Sequence, residues 1–449
     1  MNRIFSTETV NKVGEEVLLK GWVNARRNMG KIAFLDLRDA KDKIQVVCVP
    51  AELDEQSNEN LKDIRSEWIL EIRGLVQSRG DKQQNLNLAT GTVEILAKEI
   101  KVITRNETLP IDIHDETLTL ETHLDNAPIT YRADKWRALF KIQTAIVQAF
   151  RNFLTERDFT EFQCPKIVGE STEGGANVFS MEYFGHKAYL AQSPQFYKQI
   201  MVGVFERVFT VGNVYRAEKH ATTRHVNEYT SLDLEFGMIK DHTDVMELET
   251  EFLKYLLNYL DKHVSFELKL WNYNKPLLPE IIPNFKLKEV LQLVKEHTGI
   301  DHTAEPDLEP NEERWMCEYV KEKFNSDFVF VTHYPTTKRP VYTYPDEADL
   351  EYTKSFDMLF RGVEVTTGGQ RINDYDQLLK NIEKWGYKAE NFEFYLKAFK
   401  YGMPPEGGLA IGLERFTAKI LGLDNVKEAT LFPRDLNRID LPLSKPVEK

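Results

Sequence analysis

The chain has 449 residues, 42% hydrophobic and 29% charged, which is the composition of a globular protein too long for one ordinary domain. No apolar run approaches the length of a membrane span, and the first residues carry no apolar signal core, so we expect a cytoplasmic protein without a membrane partner. The net charge of −13 argues against nonspecific coating of nucleic acid but is compatible with a local binding patch.

Residues 1–103 are predicted to form a small β-barrel of the OB-fold type. Five short segments rich in Val, Ile, Leu and Phe are separated by turn signals, and one helical stretch lies near 58–66. The predicted strands cover 17–23, 32–39, 43–49, 68–76 and 92–103. Several basic residues surround Phe34, and cations beside an aromatic ring on a barrel face suit unstacked single-stranded bases. A basic surface over a core phenylalanine is an equally good interpretation of this segment alone.

Residues 104–130 are predicted to be a linker or hinge, because they are acidic, contain two prolines and lack periodicity. The remaining residues, 131–449, alternate strand clusters with helical patterns, which predicts an α+β domain built on an antiparallel sheet flanked by helices. The predicted helices cover 135–155, 242–263, 286–298, 375–386 and 391–400, and the first of them has an apolar stripe with helical spacing.

A charged hairpin at 215–235 is the most informative feature of the larger domain. Arg216 and Glu218 share one side of an extended strand, because side chains there alternate with period two. A polar loop with Arg224 and His225 follows, and Asp233 recurs in a β-branched and aromatic run that predicts the returning strand. Cations at the tip and acids along the arms suit a polyphosphate, although an isolated Arg-x-Glu is more typical of a solvated hairpin.

Further segments of this domain carry an unusual density of polar side chains or glycines. A Gly-Gly loop at 173–179 is able to approach a ligand, and a polar cluster at 192–198 is compatible with a ligand site or with a helix cap. Glu364 lies on a hydrophobic strand, where a carboxylate is costly unless it is paired or binds a cation such as Mg²⁺. Glycines at 407–412 lead into a helix with Arg415 in its first turns, which favours an anion or nucleotide.

Together these segments resemble the three signature motifs of class II aminoacyl-tRNA synthetases, in the same order. The stretch 158–165 resembles the first motif, with Asp158 where the family usually has Gly, while 215–218 resembles the second and 407–415 the third. A barrel preceding the catalytic domain is the order of the aspartyl, asparaginyl and lysyl subgroup. Stretches that resemble aspartyl-tRNA synthetases of the archaeal and eukaryotic type, which lack the inserted bacterial domain, are 192–199, 223–228, 361–371 and 432–435.

The resemblance implies ATP-dependent attachment of L-aspartate to tRNA(Asp) through an aspartyl-adenylate, with Mg²⁺ as cofactor and a homodimer as the assembly. It implies catalytic roles for Arg216, Glu364 and Arg415. The implied ATP-binding positions are Arg216, Glu218, Arg224, His225, Tyr229, Glu364, Gly412 and Arg415. The implied aspartate-binding positions are Glu173, Ser193, Gln195, Lys198, Asp233, Thr367, Gly368 and Arg371, and Glu364 with Thr367 would bind the metal. No zinc is expected, because the three cysteines are scattered without a Cys-x-x-Cys pair.

In the barrel, the resemblance implies an anticodon-binding domain in which Asn24, Arg26, Phe34 and Gln45 contact or lie near the bases. Strict archaeal-type enzymes tend to carry a bulky Trp where Asn24 stands, which favours a nondiscriminating enzyme that also acts on tRNA(Asn). Two alternatives are an asparaginyl-tRNA synthetase, expected to lack a Lys at position 198, and a synthetase paralogue that no longer charges tRNA. A nonenzymatic RNA-binding protein would leave the polar segments of the larger domain unexplained.

Overall fold

The computed structural model describes residues 2–86, 88–170, 177–219 and 222–443. The chain divides into two compact units, Met1–Asp112 and Ile113–Lys449, so that the boundary falls inside the segment 104–130 predicted to be a linker. Within the described residues, no helix is both long and apolar enough to cross a membrane. All three cysteines are free thiols.

The first unit is a closed barrel, as predicted. Its five strands are connected in the order β1-β2-β3-β5-β4 and have the bounds β1 Glu16–Met29, β2 Ile32–Arg38, β3 Lys43–Cys48, β4 Ile69–Ser78 and β5 Val93–Thr104. One helix, α1 (Glu55–Asp63), lies between β3 and β4, with short 3₁₀ turns at Ser6–Asn11, Pro50–Glu52 and Asp81–Gln83. Alternating side chains of the strands fill the barrel, which gives a closed hydrophobic core.

Strand β1 is longer than predicted, because the ladder with β2 continues to the pair Met29–Ile32 through a polar stretch that resembles a turn. The register shifts between Val23 and Ala25, so that Val23 and Asn24 both lie inside. An extra residue of this kind is a β-bulge, which resets the alternation of the strand.

The second unit is built on an eight-stranded sheet, in the order β12-β13-β16-β17-β18-β11-β10-β6. The sheet is antiparallel except for the parallel pairs β12–β13 and β10–β6, which confirms the predicted α+β class. Two small sheets, β7-β9-β8 and β14-β15, accompany it. The strand bounds are β6 Thr160–Glu161, β7 Ile167–Val168, β8 Ser180–Tyr183, β9 His186–Leu190, β10 Arg207–Tyr215, β11 Glu228–Gly237, β12 Asn284–Lys286, β13 Phe328–Thr332, β14 Pro345–Asp346, β15 Asp349–Thr353, β16 Ser355–Phe360, β17 Val363–Arg371 and β18 Glu406–Gly412.

The helices of the second unit include all five that periodicity predicted. Their bounds are α2 Leu120–Asp125, α3 Ala127–Thr130, α4 Asp134–Thr155, α5 Gln195–Phe205, α6 His242–His263, α7 Ser265–Leu270, α8 Leu287–Thr298, α9 Pro310–Phe324, α10 Tyr375–Lys384, α11 Glu393–Lys400 and α12 Leu413–Leu421, with 3₁₀ turns at Ala389–Phe392 and Val426–Ala429. Helix α9 was not predicted: it is rich in charged residues, and its buried apolar positions are few, so its periodicity is weak. Helices α2 and α3 lie in the second half of the predicted linker.

Helices α4 and α6 pack on one face of the sheet and leave the other face for the polar residues. Phe150 and Phe252 meet edge to face at 5.3 Å in the resulting core, and both rings are buried. The backbone ladders β11–β18 and β17–β18 hold the polar ends of these three strands in one register.

One carboxyl group lies in this apolar layer. Glu249 of α6 is buried, and burial raises its pKa to about 8, against a smaller opposing effect of the Thr366 hydroxyl on β17. The folded protein therefore holds a proton at neutral pH that the unfolded chain releases. Stability from this group is complete below the unfolded pKa near 4.5 and is lost as pH rises toward 8.

We predict that Glu249→Gln flattens this pH dependence. The wild-type free energy of unfolding should fall by up to about 1.4 kcal/mol per pH unit between pH 5 and 8 because of Glu249, whereas the neutral amide carries no such dependence. Urea unfolding of the second unit at several pH values measures it. Glu247→Gln, an exposed neighbour on the same helix, is the control and should keep the wild-type slope. Identical slopes for Glu249→Gln and wild type would contradict the prediction.

Candidate active site

A cavity of about 600 Å³ and a smaller one of about 90 Å³ lie side by side on the second unit. The strand order brings β17, β18, β11 and β10 together, although the chain separates them widely, and α5 closes one side. The predicted residues that line the larger cavity are Ser193, Gln195, Lys198, Arg216, Glu218, Glu364, Thr367, Gly368 and Arg371. Those lining the smaller one are Arg216, Glu218, Arg224, His225, Tyr229, Glu364, Thr367, Gly412 and Arg415.

Two predicted residues stand apart from these sets. Asp233 lines neither cavity but its carboxylate lies 3.2 Å from the Lys198 ammonium. Glu173 lies outside the described residues. The predicted site of the larger domain is otherwise assembled by the fold.

The smaller cavity combines an aromatic ring with a cation. The Arg216 guanidinium carbon is 5.7 Å from the ring centroid of Tyr229, which is within the range of a cation–π contact. Gly412 ends β18 beside that ring: a Cβ there would meet the Tyr229 ring at 3.9 Å, which is ordinary contact. The Tyr229 ring therefore offers a stacking surface for a flat ligand, with the Arg216 guanidinium nearby.

A second group of cations lies at the other end of this cavity. Arg415 Nη1 donates to the Glu364 carbonyl oxygen at 2.8 Å and lies 3.8 Å from its carboxylate, and Nη2 donates to the Arg224 carbonyl oxygen at 3.4 Å. The Arg224 guanidinium is itself paired with Glu313 of α9. His225 lies 3.6 Å from the Glu218 carboxylate, and burial lowers the pKa of its imidazole. These contacts fix the guanidinium groups of Arg224 and Arg415 at the wall of the cavity, where an anionic ligand would bind.

Glu313 is a site residue that sequence reasoning missed. Burial raises the pKa of its carboxyl to about 7, despite the Arg224 guanidinium beside it. In the sequence Glu313 is one glutamate in a highly charged segment, and such segments are usually exposed to solvent, so nothing marked it as a site residue. Only the packing of α9 against the sheet brings it to Arg224.

The oxygen ligands at Glu364 fit a magnesium ion. The Thr367 hydroxyl donates to the Glu364 carboxylate at 3.0 Å, and Arg415 lowers the pKa of that carboxyl, although burial acts in the opposite direction. Asp357 on the paired strand β16 is buried, and in the described part of the chain its Oδ1 has no hydrogen-bond partner. Mg²⁺ prefers one or two carboxylates together with substrate phosphates, so the absence of a three-ligand cluster among the described residues is compatible with it.

The floor of the larger cavity is a buried charge network. Lys198 Nζ lies 3.2 Å from Asp233 Oδ1 and 3.1 Å from Glu235 Oε2. Arg371 Nε donates to Glu235 Oε1 at 2.8 Å and its Nη2 donates to the Gly408 carbonyl oxygen at 3.0 Å. Each of these four side chains is almost inaccessible to solvent. A single carboxylate, Glu235, therefore fixes both cations that face the cavity.

Glycine at position 408 is required by this network. A Cβ there would lie 2.2 Å from Glu235 Oε2 and 2.2 Å from the Leu234 carbonyl oxygen, so that a side chain would displace the carboxylate. The glycine pattern predicted a ligand at 407–412, whereas at 408 the glycine makes room for a protein carboxylate.

A second layer lies below the cations. Gln199 Nε2 donates to Glu406 Oε1 at 2.9 Å, and the Tyr395 hydroxyl lies 3.0 Å from Gln199 Oε1. Burial, and then the neighbouring Glu235, raise the pKa of Glu406 well above its usual range. Glu406 is bound by Gln199, whereas Glu235 contacts both Lys198 and Arg371.

In the barrel, the predicted residues occupy different environments. Phe34 is half-buried on β2, and Gln45 Nε2 on β3 donates to Glu94 at 2.8 Å. The Arg26 guanidinium donates to the carbonyl oxygen of Ile64 at 2.8 Å, while Asn24 is buried. Phe34 and Gln45 thus lie on the outer face, whereas Arg26 and Asn24 are engaged by the barrel itself.

Comparison with known proteins defines the class. The model of the class II tRNA synthetases (D, K and N) matches residues 119–436, and the model of the OB-fold nucleic acid binding domain matches residues 17–103. The chain belongs to the class II tRNA synthetases of this D, K and N family.

Among individual proteins, the chain is similar to aspartate–tRNA(Asp/Asn) ligases of Thermus thermophilus, 43% identical over 97% of this chain and 99% of the relative, and of Deinococcus radiodurans, 44% identical over 98% and 99%. The aspartate–tRNA(Asp) ligase of Thermococcus kodakarensis is 36% identical over 96% and 97%.

Among solved structures, asparaginyl-tRNA synthetase from Pyrococcus horikoshii with asparaginyl-adenylate is similar with a TM-score of 0.90 at 28% identity, covering 98% of this chain and 100% of that one. Aspartyl-tRNA synthetase from Entamoeba histolytica has a TM-score of 0.84 at 28% identity, covering 98% and 93%. The fold is therefore shared by enzymes for both amino acids.

We predict that Glu235→Gln destabilises the second unit strongly. The change leaves Lys198 and Arg371 buried without their shared counter-ion, and breaking a buried pair in this way costs about 3–5 kcal/mol. Urea unfolding at neutral pH measures the loss. Glu280→Gln, at a side chain 90% exposed and paired with Lys254, should change stability by less than about 0.5 kcal/mol. A similar small change for both variants would contradict the role assigned to Glu235.

Proposed function

We propose that the protein attaches L-aspartate to tRNA with ATP, through an aspartyl-adenylate. The observation that carries the proposal is the pair of buried cations, Lys198 and Arg371, in a cavity continuous at Arg216 and Glu364 with the aromatic and cationic cavity. An amino acid with a carboxylate side chain fits the first, and a nucleoside triphosphate fits the second.

In the first step, the α-carboxylate of aspartate attacks the α-phosphorus of ATP, and pyrophosphate leaves. A carboxylate is already a nucleophile, so the step needs alignment and charge neutralisation rather than a base. Arg216 holds the α-phosphate, and Arg224, His225 and Arg415 hold the β- and γ-phosphates. Tyr229 stacks on adenine with Gly412 beside its ring, and Glu218 accepts a hydrogen bond from the adenine amino group.

Glu364, Thr367 and Asp357 would hold Mg²⁺ with its phosphate ligands. When bound, the ion neutralises phosphate charge. The Thr367 hydroxyl keeps the Glu364 carboxylate directed toward the cavity, and Arg415 lies beside it. An incoming triphosphate would also replace Glu313 as the partner of Arg224, so that the arginine exchanges one anion for another.

Selection of aspartate over asparagine rests on charge. The side-chain carboxylate of aspartate would be attracted by Lys198 and Arg371, whereas the neutral amide of asparagine gains no such attraction and turns its own N–H donors toward the two cations. The cost should be about 3–5 kcal/mol by analogy with a broken buried ion pair. Asp233, Ser193 and Gln195 surround the ammonium group, Gly368 leaves room for the substrate, and Glu173 would close over it.

In the second step, a hydroxyl of the 3′-terminal ribose of tRNA attacks the carbonyl carbon of the adenylate, and AMP leaves. The barrel would hold the anticodon through Phe34 and Gln45 on its outer face, with Arg26 and Asn24 shaping the same region. We place the enzyme in the cytoplasm as a homodimer, with ATP, aspartate and tRNA as its partners.

The resemblance to asparaginyl-tRNA synthetase structures makes that enzyme the second candidate, and pyrophosphate exchange separates the two. We predict that purified protein exchanges pyrophosphate into ATP with aspartate and Mg²⁺ at least about a hundredfold better than with asparagine, which corresponds to about 3 kcal/mol. Exchange supported by asparagine alone would overturn the proposal.

The same assay tests the assigned cation. Lys198→Leu should lose aspartate-dependent exchange while ATP binding stays near the wild-type level, because Lys198 lies in the larger cavity only. Lys187→Leu, at an exposed position of β9, is the control. Equal losses for aspartate and ATP would contradict the division of the site.

We further propose that the enzyme charges both tRNA(Asp) and tRNA(Asn). The curated relatives at 43% and 44% identity are named for both tRNAs, and position 24 carries Asn rather than a bulky Trp. We predict kcat/KM values for the two transcripts within about fivefold, because rejection of one base would cost about 1–3 kcal/mol, which is about 5- to 150-fold. Aminoacylation of the two transcripts side by side measures this, and charging of tRNA(Asp) alone would contradict it.

A further inference from the structure

We infer that Trp22 is a base-stacking residue of the barrel, and that it binds an unpaired base of the anticodon loop other than the base bound at Phe34. The inference rests on the proposed function, because tRNA is the nucleic acid that the barrel would bind. It follows from the register of three strands, from the exposure of the indole ring and from the cation behind it.

The bulge in β1 decides which side chain of this strand reaches the surface. Trp22 is 36% exposed, whereas Val23 and Asn24 after it are both buried. Asn24 is further fixed because its Oδ1 accepts a hydrogen bond from Arg38 Nη1 at 3.2 Å. The large aromatic surface at this point of the barrel therefore belongs to Trp22, and a small amide lies inside beside it.

The indole ring lies against a fixed cation. The Arg38 guanidinium carbon is 5.9 Å from the Trp22 ring centroid, and Trp22 and Arg38 are direct partners in the β1–β2 ladder. Arg38 is buried and held by Glu67 through contacts of 2.8 and 2.9 Å. A guanidinium that is already ordered supports the ring without a further entropy cost, so the ring is prepared to stack on a base.

Trp22 lies at one end of a cross-strand face and Phe34 lies at the other. The outward positions Phe34, Asp36 and Arg38 of β2 pair with Arg27, Ala25 and Trp22 of β1, and Asp36 pairs on its other side with Gln45 of β3. Two aromatic side chains thus enclose a polar centre. Stacking at the ends with hydrogen bonding between them is the arrangement that reads splayed single-stranded bases.

The spacing of the two rings shows that they cannot serve the same base. Phe34 and the Trp22 partner Arg38 are four residues apart on β2, which is about 13 Å at the rise of a strand. This distance is about four steps of a stacked strand at ~3.4 Å per nucleotide. One base cannot contact both rings, so Trp22 and Phe34 bind different bases of the loop.

Cations beside this face suit the phosphates of the same strand. Lys43 of β3 is the ladder partner of Arg38, the Arg27 side chain is 57% exposed, and Lys31 and Lys41 are exposed in the turns next to β2. Contacts to phosphate hold a strand in place without reading it, whereas stacked rings select unpaired bases. Both components are present on the face that carries Trp22 and Phe34.

The test measures binding of the full-length protein to tRNA(Asp) transcripts. Trp22→Leu keeps an apolar side chain but has no aromatic face, and Trp22→Phe keeps a smaller ring. We expect Trp22→Leu to raise the Kd for tRNA about 5- to 150-fold and Trp22→Phe to stay within about threefold of wild type. Met29→Ala, at an exposed apolar position at the end of the same strand, is the control and should bind tRNA as wild type does.

Abasic substitution identifies the base. In a series of transcripts, each lacking one base of the anticodon loop, Trp22→Leu should have no further effect on one transcript and its full effect on the others. Phe34→Leu should show the same pattern at a different nucleotide. The inference would be overturned if Trp22→Leu bound tRNA as wild type does, or if Trp22→Leu and Trp22→Phe weakened tRNA binding equally. It would also be overturned if Trp22→Leu weakened binding to every abasic transcript in full, or if its effect disappeared at the same nucleotide as that of Phe34→Leu.

The outcome is separable from that of the proposed function. Trp22→Leu should retain wild-type pyrophosphate exchange, because the adenylate forms on the second unit. Its wild-type binding to the one matching abasic transcript shows that the barrel of the variant is folded. A wild-type protein that failed to exchange pyrophosphate with aspartate would contradict the proposed function. A wild-type protein that exchanges and binds tRNA, with unaffected binding by Trp22→Leu, would contradict the role of Trp22 alone.

Discussion

The shared ion pair between Glu235 and the two cations Lys198 and Arg371 is the constraint on which the rest of the catalytic unit depends. Buried charges are tolerated only when they are paired at close range, since removal from water costs several kcal/mol for each ion. The three side chains come from β11, α5 and β17, so pairing requires these elements to meet in one register. Gly408 on β18 provides the space for the carboxylate.

The same principle extends to other arginines at the two cavities, where protein carboxylates already pair with them. Arg224 is paired with Glu313, Arg415 with Glu364, and Arg339 with Asp357 at 2.7 Å. A substrate anion that enters such a site exchanges one partner for another, so the arginines are ordered before the substrate binds. Preorganised charges of this kind are more effective in a site of low dielectric constant than in water. In the barrel, Arg38 and Glu67 form a comparable buried pair, which fixes the support of an aromatic ring instead of a substrate.

Much of the fold was predictable because the signals were local. Barrel strands showed dense β-branched and aromatic residues between turn residues, and α4 and α6 showed an apolar stripe at helical spacing. The prediction failed where local signals were weak or misleading. Helix α9 is mostly charged, and the polar end of β1 resembles a turn although its backbone continues to pair with β2. The predicted linker contains α2 and α3, and these helices are too short to show the periodicity of apolar residues that marks a helix.

The sequence by itself determined the class of elements, the resemblance to a synthetase family and the residue types around the two cavities, because motifs and periodicity are properties of neighbouring residues. Only the tertiary structure decided which charges pair with which. Glu235, Glu313 and Glu406 acquire their partners through contacts between elements far apart in the chain, and no local pattern records such contacts. The same holds for Trp22 and Asn24, which the alternation of a regular strand would place on the same face. The bulge between them leaves Trp22 facing outward and Asn24 buried. The reason is physical: burial and pairing depend on the distance between elements in space, which the spacing along the chain does not specify.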